Sequence, residues 1–370
     1  GYELFTWNNA VHNTIANIKD DITYYVGSHK VTAGLSYEYQ MADNAYMRNG
    51  TGYYRYSSVD DFVNGAAPEV VCLTYGYDGE KNPAARVQFS KLGLYAQDDW
   101  NPTENFKLTY GVRFDGLFFN NSDLMTNKAI LDLDYYDSNN DVRHIDTGKW
   151  PSAGISVSPR VGFKWDVLND KSLTLRGGTG LFVGRLPLVF FTNMPTNSGM
   201  VQYQAQINGN TLAEKVKGYT GPTVVRDGKT YIDMSQFAGG LKTLNGKATS
   251  QAVPSSISAV DSKFKMPQVW KTSLAVDYQL PVSFPFTVTV EGIFNKTING
   301  VMMSDWSMLP AEGFARWNGA DNRPVFPSNF RNATKAFVLE NTSKGYGYLA
   351  NVTVKMRPVE GLSFMAAYTR

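Results

Sequence analysis

Between Asn105 and Asp115 the sequence reads NFKLTYGVRFD, which separates into two interleaved strings. Phe106, Leu108, Tyr110, Val112 and Phe114 form one; Lys107, Thr109, Gly111, Arg113 and Asp115 form the other. A period of two is the geometry of an extended strand with one apolar and one polar face. The pattern recurs in KVTAGLSYEYQM (30–41), VSPRVGFKWD (157–166), WKTSLAVDYQL (270–280), FTVTVEGIF (286–294) and YLANVTVKMR (348–357). No helical period competes, so the chain is predicted to be all-β. Alternation alone leaves open which face meets water, because a strand of a soluble sandwich alternates in the same way.

Run length and spacing decide the matter. The runs persist for about ten residues, as a tilted strand needs to cross a bilayer, whereas soluble strands cluster near five or six. Tight connections fall at 26–30, 101–105, 168–172, 280–286 and 357–363; between them lie 43–86, 119–156, 186–265 and 305–345. Connections beyond roughly 12–15 residues are uncommon in compact domains, so four of them in alternate positions are systematic. Short turns at one rim and long loops at the other are the pattern of a transmembrane β-barrel of the outer-membrane type. Trp100, Phe106, Trp165, Phe284 and Phe286 lie beside the short turns, with Tyr37, Tyr39, Phe118 and Phe119 at the opposite strand ends. Aromatic girdles at two interfaces produce that distribution.

The turns divide the chain into about ten antiparallel strands, paired 12–26 with 29–42, 86–100 with 105–119, 157–168 with 172–185, 267–280 with 285–304 and 346–357 with 362–370. The last stops in mid-strand, so an excerpt of a larger barrel is expected. Apolar faces then meet lipid and polar faces a wet interior. The short turns are expected to be periplasmic and the long loops extracellular.

Composition narrows the alternatives. Lys plus Arg number 35 against 33 Asp plus Glu, without a polybasic run, which argues against a nucleic-acid partner. Cys72 is the single cysteine, so there is no disulfide framework, CxxC pair or cysteine zinc site. No window approaches the roughly 18–20 apolar residues of a transmembrane helix. The opening GYELFTWNNAV has neither a basic n-region nor an apolar h-region, so no signal peptide is read; a mature or excised fragment would share that feature.

The hairpin KLGLYAQDDWNPTENFKLTYGVRFD (91–115) resembles the strand–turn–strand core of TonB-dependent outer-membrane receptors, with its LYAQD-type strand and closing YGVRFD motif. SPRVGFKWDVLNDKSLTLRGGTGLFVGRLP (158–187) resembles the family's following hairpin. With DDITYYVGSHKVTAGLSYEYQ (20–40) and YYRYSSVDDFVNGAAP (53–68), the likeness is closest to the Oar-like branch of Bacteroidetes. The resemblance covers most strand regions and little of the long loops. It implies a 22-stranded barrel with a plug domain and a TonB box ahead of it, neither of which is in this chain. It also implies a Gram-negative outer-membrane location and TonB-dependent uptake of a nutrient too large for porins, with no catalysis and no cofactor. Implied partners are the protein's own plug, TonB, the lipid bilayer and a surface lipoprotein or other outer-membrane complex. A passive porin, or an adhesin or secretion-associated receptor barrel, is the competing function.

Candidate site residues follow from the faces. Arg113, Asp115, Arg160, Lys164, Asp166, Arg176, Asp277 and Glu291 lie on polar faces. They either contact plug and ligand or form cross-strand ion pairs that solvate the interior. Arg113 with Asp115, and Arg160 with Asp166, occupy motif positions, where the resemblance implies cross-strand pairing or plug contact. LRGGTGLFVG (175–184) carries glycines but continues a strand instead of opening a helix, so close backbone approach or a bulge is expected there, with room for the plug, and no phosphate loop. In the longest connection Phe190, Phe191 and Met194 are the expected ligand contacts, surface shielding being the alternative. Asp137, Asn139 and Asp141 give the opening of an EF-type calcium loop, but Val142 replaces its glycine and Gly148 stands where its glutamate belongs, so a solvated loop tip competes. His12, His29 and His144 have no ligand spacing, and no nucleophile motif supports a triad.

Overall fold

The computed structural model describes Phe5 and residues 9–65, 68–76, 80, 82–208, 223–232, 254–308, 314–326, 332 and 334–370. Its principal sheet has twelve strands: β1 (Ala10–Val26), β2 (His29–Ala45), β3 (Ala85–Thr103), β4 (Phe106–Asn120), β5 (Gly154–Asp166), β6 (Leu173–Val183), β7 (Ser256–Val260), β8 (Gln268–Gln279), β9 (Phe286–Asp305), β10 (Lys335–Thr342), β11 (Tyr346–Val359) and β12 (Leu362–Thr369). Ten of them run β1-β2-β3-β4-β5-β6-β8-β9-β11-β12, each antiparallel to its neighbours. All ten predicted strands and all five predicted hairpins are present. The turns have the chemistry their geometry demands: Gly27 and Gly361 hold φ of 57° and 80°, and Asn169 with Lys171 bends the β5–β6 turn at 60° and 64°.

Registers align the faces across the sheet. Leu35, Leu94, Phe114 and Val157 form one apolar row, because Leu35 pairs with Leu94, Leu94 with Phe114, and Phe114 with Val157. All four side chains are exposed. The opposite face carries the polar string. Close approach is visible at β6: a Cβ on Gly178 would lie 2.8 Å from the Val161 carbonyl oxygen, and one on Gly180 would lie 2.9 Å from Arg160 Cβ. The pairing of β6 with both neighbours runs without a register shift, so the glycines serve close approach and not a bulge.

The long connections contain more structure than expected. β7 and β10 lie within two of them and pair in parallel, Ser256 with Lys335 through Val260 with Leu339. β10 in turn pairs with the far end of β9, Gly300–Asp305, beyond the part of β9 that pairs with β11. A helix, Val189–Asn197, follows β6. Its sequence lacks a side-chain N-cap and contains Pro195, so neither capping nor propensity announced it. Residues 209–222 and 233–253, with most of the Gly/Lys/Thr-rich tail of that connection, lie outside the described residues.

A three-stranded sheet, Gln202–Asn208, Val70–Gly76 and Tyr53–Arg55, joins the first and third long connections. Cys72 sits in its central strand, fully buried. Burial pushes its thiol up to about 11, and Asn49 Nδ2 donating to Sγ at 3.4 Å offsets this only in part. At pH 8 the folded protein should therefore react with a maleimide roughly 100-fold more slowly than an ordinary thiol, from thiolate fraction alone. Labelling before and after denaturation measures the ratio; equal rates would place the thiol in solvent.

Candidate functional site

All eight predicted polar-face residues lie on one side of the sheet, as the registers require. They do not form one cluster. Arg113 and Asp115 meet directly, Nε to Oδ2 at 2.9 Å, with Lys91 Nζ 3.5 Å from Asp115 Oδ1. Arg113 also donates to Ser36 Oγ at 2.8 Å and stacks its guanidinium over the Tyr95 ring at 5.2 Å. Gly93 makes this possible: a Cβ there would collide with the Arg113 guanidinium. A second group joins Arg176 to Asp277 at 2.9 Å and to Glu291 at 3.7 Å, with Thr289 Oγ1 donating to Asp277 at 2.6 Å. Both are cross-strand ionic ladders of the kind that solvate a polar face.

The other polar-face residues make no side-chain ion pair among the described residues. Arg160 lies over the Phe182 ring at 5.5 Å, and no ion pair joins it to Asp166 among the described residues. Asp166 instead accepts from the Lys171 N–H at 2.9 Å and closes the β5–β6 turn. Lys164 faces Arg176 across the register. Six residues along one strand separate Arg160 from Asp166 by far more than ion-pair reach, so the two do not pair with each other.

Toward the long-loop end the same face changes character. Above Lys91 on β3 come Phe89 and Val87; above Asp115 on β4 come Leu117 and Phe119. These apolar residues pack with Trp150, Phe191, Met194, Val260, Phe264 and Leu339 into a buried cluster. Phe119 therefore belongs to this cluster and not to the aromatic girdle expected of it. Its ring lies 5.2 Å from Phe191 and 5.6 Å from Trp150. Its neighbour Phe118 points the other way and is exposed.

The segment after β6 crosses this face as a strap. Gly184 N–H donates to the Pro267 carbonyl at 2.7 Å, Arg185 Nη2 reaches Glu38 on β2 at 2.5 Å, and Asn44 Nδ2 donates to Thr192 Oγ1 at 2.8 Å. Glu38 and Arg185 are 147 positions apart in sequence, so no local pattern could have matched them. The strap's helix buries Phe191 and Met194 at 0% and 1% exposure, leaving no open face on either for a ligand, whereas Phe190 is 38% exposed. A cavity of about 450 Å³ opens beside the cluster, between Leu117 and Phe119 on one wall and Phe264 and Met266 on the other, with Lys263 and Lys265 at its edge.

A second cluster, Ile130, Tyr135, Ile145, Ile257, Ala259, Trp306, Ala336 and Val338, holds the second long connection against β7, β10 and Trp306, the residue that follows β9. Burial raises the Tyr135 phenol to about 12. The calcium-loop expectation falls within this connection. Asp137 Oδ1 accepts from the N–H groups of Asn139 and Asp141 at 2.9 and 3.0 Å, and its Oδ2 faces Arg143 at 3.3 Å. Arg143 also reaches Asp261 at 2.5 Å. The Asp137 carboxylate thus organises a turn and neutralises a guanidinium. No group of three His, Cys, Asp or Glu suited to a metal occurs among the described residues.

A family model described as "Outer membrane beta barrel domain" matches residues 5–369. The fold is similar to that of the outer membrane transporter YddB from Escherichia coli, with a TM-score of 0.52 and 11% identity, over 97% of this chain and 34% of that one. Lower on the scale stand the ferric enterobactin receptor PfeA from Pseudomonas aeruginosa, at a TM-score of 0.46 and 12% identity over 97% and 35% of the two chains, and the FrpB iron transporter from Neisseria meningitidis, at 0.43 and 11% over 98% and 37%. The chain spans about a third of each of these proteins. No curated protein sequence matches it.

Proposed function

Because this chain belongs to the outer membrane beta barrel domain family and lies in the bacterial outer membrane, we propose that it forms part of the wall of a TonB-dependent transporter, Oar-like in its hairpin motifs, which takes up a nutrient too large for porins. The polar face, crossed by a packed strap at its long-loop end, carries this reading. A passive pore has no need of a buried apolar cluster across the path to its lumen. In the proposed arrangement the ten meander strands belong to a 22-stranded barrel with a plug domain. Among the described residues the outer edges of β1 and β12 pair with no strand, which supports further strands, since a lipid-exposed edge is not viable in a bilayer.

Ligand is captured at the extracellular long-loop rim, where Phe190 and the 450 Å³ cavity are accessible. Phe191 and Met194 act from below, as the packing that sets the position of Phe190. Energised TonB remodels the plug, and ligand moves along the ionic ladders of Arg113, Asp115, Arg176, Asp277 and Glu291, with Arg160, Lys164 and Asp166 on the same path. These side chains supply solvation and positioning; none is assigned a chemical step.

The test compares growth on a limiting nutrient between cells with and without the full-length protein, in backgrounds with and without TonB. Deleting TonB should remove that growth. Growth that persists without TonB would replace the proposal with a passive pore, and no growth dependence on the protein in either background would favour an adhesin.

A further inference from the structure

The sheet has a gap at the long-loop end of β5. That strand pairs with β4 from Gly154 to Trp165 but with β6 only from Arg160 to Asp166. The next residue along the open edge, Pro159, has no N–H to extend the ladder. Facing the edge is 262–268, the segment that leads into β8. Two hydrogen bonds frame the space between them. The Ser152 N–H donates to the Ser262 carbonyl at 3.4 Å, and Gln268 Nε2 donates to the Val157 carbonyl at 3.1 Å. The cavity of about 450 Å³ described above fills this frame. Ile155 and Ser156 both line it, although neighbours on a strand point to opposite faces. A cavity touches both only by wrapping around the free edge, so it opens toward the lumen and toward lipid alike. Ile155, on the lipid side, is 74% exposed.

The height of this window follows from β5. Trp165 stands beside the short turn, and Ile155 lies ten residues away on the same face. At about 3.3 Å per residue and a tilt near 40°, about 25 Å of height separates them, which is the thickness of the apolar band. In the orientation proposed above, the window therefore opens at the boundary of the outer leaflet. Leu117, Phe119, Phe264 and Met266 make its interior apolar, and among the described residues Lys263 and Lys265 are its only charged lining. The turn that carries them is fixed: Asp261 Oδ1 accepts the Lys263 N–H at 3.1 Å, and Asn341 Oδ1 accepts the Lys265 N–H at 2.6 Å. The Asp261 carboxylate is itself taken by Arg143 at 2.5 Å, and neither ammonium has an ion-pair partner among the described residues. An apolar slot that ends at two free cations, where hydrocarbon meets water, suits an anion with an apolar chain. Burial of the chain supplies affinity, and the charged head stays at the wet rim. The slot is at the small end of ligand pockets, so it holds one chain.

We propose that this window binds a single-chain amphiphile with a carboxylate head, its chain against the β5 edge and its head at Lys263 and Lys265. This ligand class rests on the uptake role proposed above for the same cavity, and its apolar chain keeps it out of a water-filled porin.

Native mass spectrometry of the full-length protein in an uncharged detergent tests this, with dodecanoate, its methyl ester and hexadecanoate as probes. One dodecanoate should be retained about tenfold over the ester, as a charge-assisted hydrogen bond supplies. Lys263→Gln combined with Lys265→Gln should erase that preference and leave the fold intact. Equal retention of acid and ester, or a preference that survives loss of both lysines, would overturn the head assignment. Hexadecanoate should be held at least as well as dodecanoate, because the window opens sideways; its exclusion would overturn the lipid-side opening. Gly154→Trp should expel both acids, since a Cβ there meets no atom within 4 Å and the indole enters the cavity without strain. Unchanged retention by that variant would overturn the cavity. Whether or not it assembles, a diazirine on the chain should label 151–156 and 262–266 of the unaltered protein, and labelling elsewhere would overturn the site. No TonB is present in these measurements, so failure here leaves the growth test standing, and a failed growth test leaves the binding intact.

Discussion

Leu94→Arg should abolish assembly of the barrel, while Gln97→Arg, three positions along the same strand, should leave it intact. Leu94 is half exposed on the apolar face and lies between two polar landmarks on that face. At one end Arg86 pairs with Asp43 at 2.6 Å; at the other His29 pairs with Asp98 at 2.6 Å. Between them β3 presents Leu92, Leu94 and Ala96, and β2 presents Val31, Ala33, Leu35 and Tyr37. Leu94 is therefore near the middle of the hydrocarbon, where an arginine costs about 2–4 kcal/mol. That is a large share of the stability of an ordinary domain. Gln97 faces the other way, donating to Asp99 at 3.4 Å, and Lys107 lies 3.2 Å from the same Asp99. An arginine at position 97 enters an ionic ladder. Tyr110, which the alternation alone would suggest for the charge test, is a poorer choice because an arginine there would have Asp98 beside it. The folded fraction of outer-membrane protein on unheated gels measures the outcome. Equal folded fractions for the two arginine variants would mean that the faces are assigned wrongly.

The strands were legible because each of their residues reports the same decision. In Phe106–Asn120 every second side chain repeats whether the face is wet or dry, and the turn glycines and asparagines repeat where the strand stops. The strap and the packing of the long connections, which together cap the long-loop end of the polar face, were not legible, because their contacts are set by pairs remote in sequence. Glu38 with Arg185 and Tyr135 with Thr334 have no period to betray them. SISAV at Ser256–Val260 has the residues of a strand, but only its parallel partner Lys335–Leu339 makes it one. Phe119 shows where the two regimes meet. Alternation puts it on the face opposite Phe118, whereas a girdle at the lipid interface needs both on one face, which adjacent residues of a strand cannot satisfy. The polar string Lys107–Asp115 turning apolar at Leu117 and Phe119 was the signal that something covers the polar face there.

Charge tells a similar story at finer scale. Arg113 and Asp115 were named for their motif positions, and they pair because residues two apart on a strand point the same way. Arg160 and Asp166 also share a face but stand too far apart to meet. A shared face is necessary for an ion pair on a strand; separation along the strand decides whether the pair forms.

Phe191→Ala should loosen the cap without preventing insertion of the sheet. Phe191 is completely buried, and its ring lies 5.2 Å from Phe119, 6.0 Å from Trp150 and 6.0 Å from Phe264. These partners come from β4, the second long connection and the segment before β8, so one side chain joins three otherwise separate pieces of chain. Truncating a buried phenylalanine costs about 3–5 kcal/mol, depending on how far the site collapses. The loss falls on the strap and its contacts, because the ten meander strands are held by their own ladders. Protease should then cut the 186–200 segment in intact cells much faster than in the unaltered protein, while the heat-modifiable folded band remains. Phe190→Ala, on the adjacent exposed side chain, should leave cleavage unchanged and weaken ligand capture instead. If Phe191→Ala were cut no faster than the unaltered protein, the strap would be held by Arg185 with Glu38 and Asn44 with Thr192 alone. The aromatic cluster would then be filling without structural consequence.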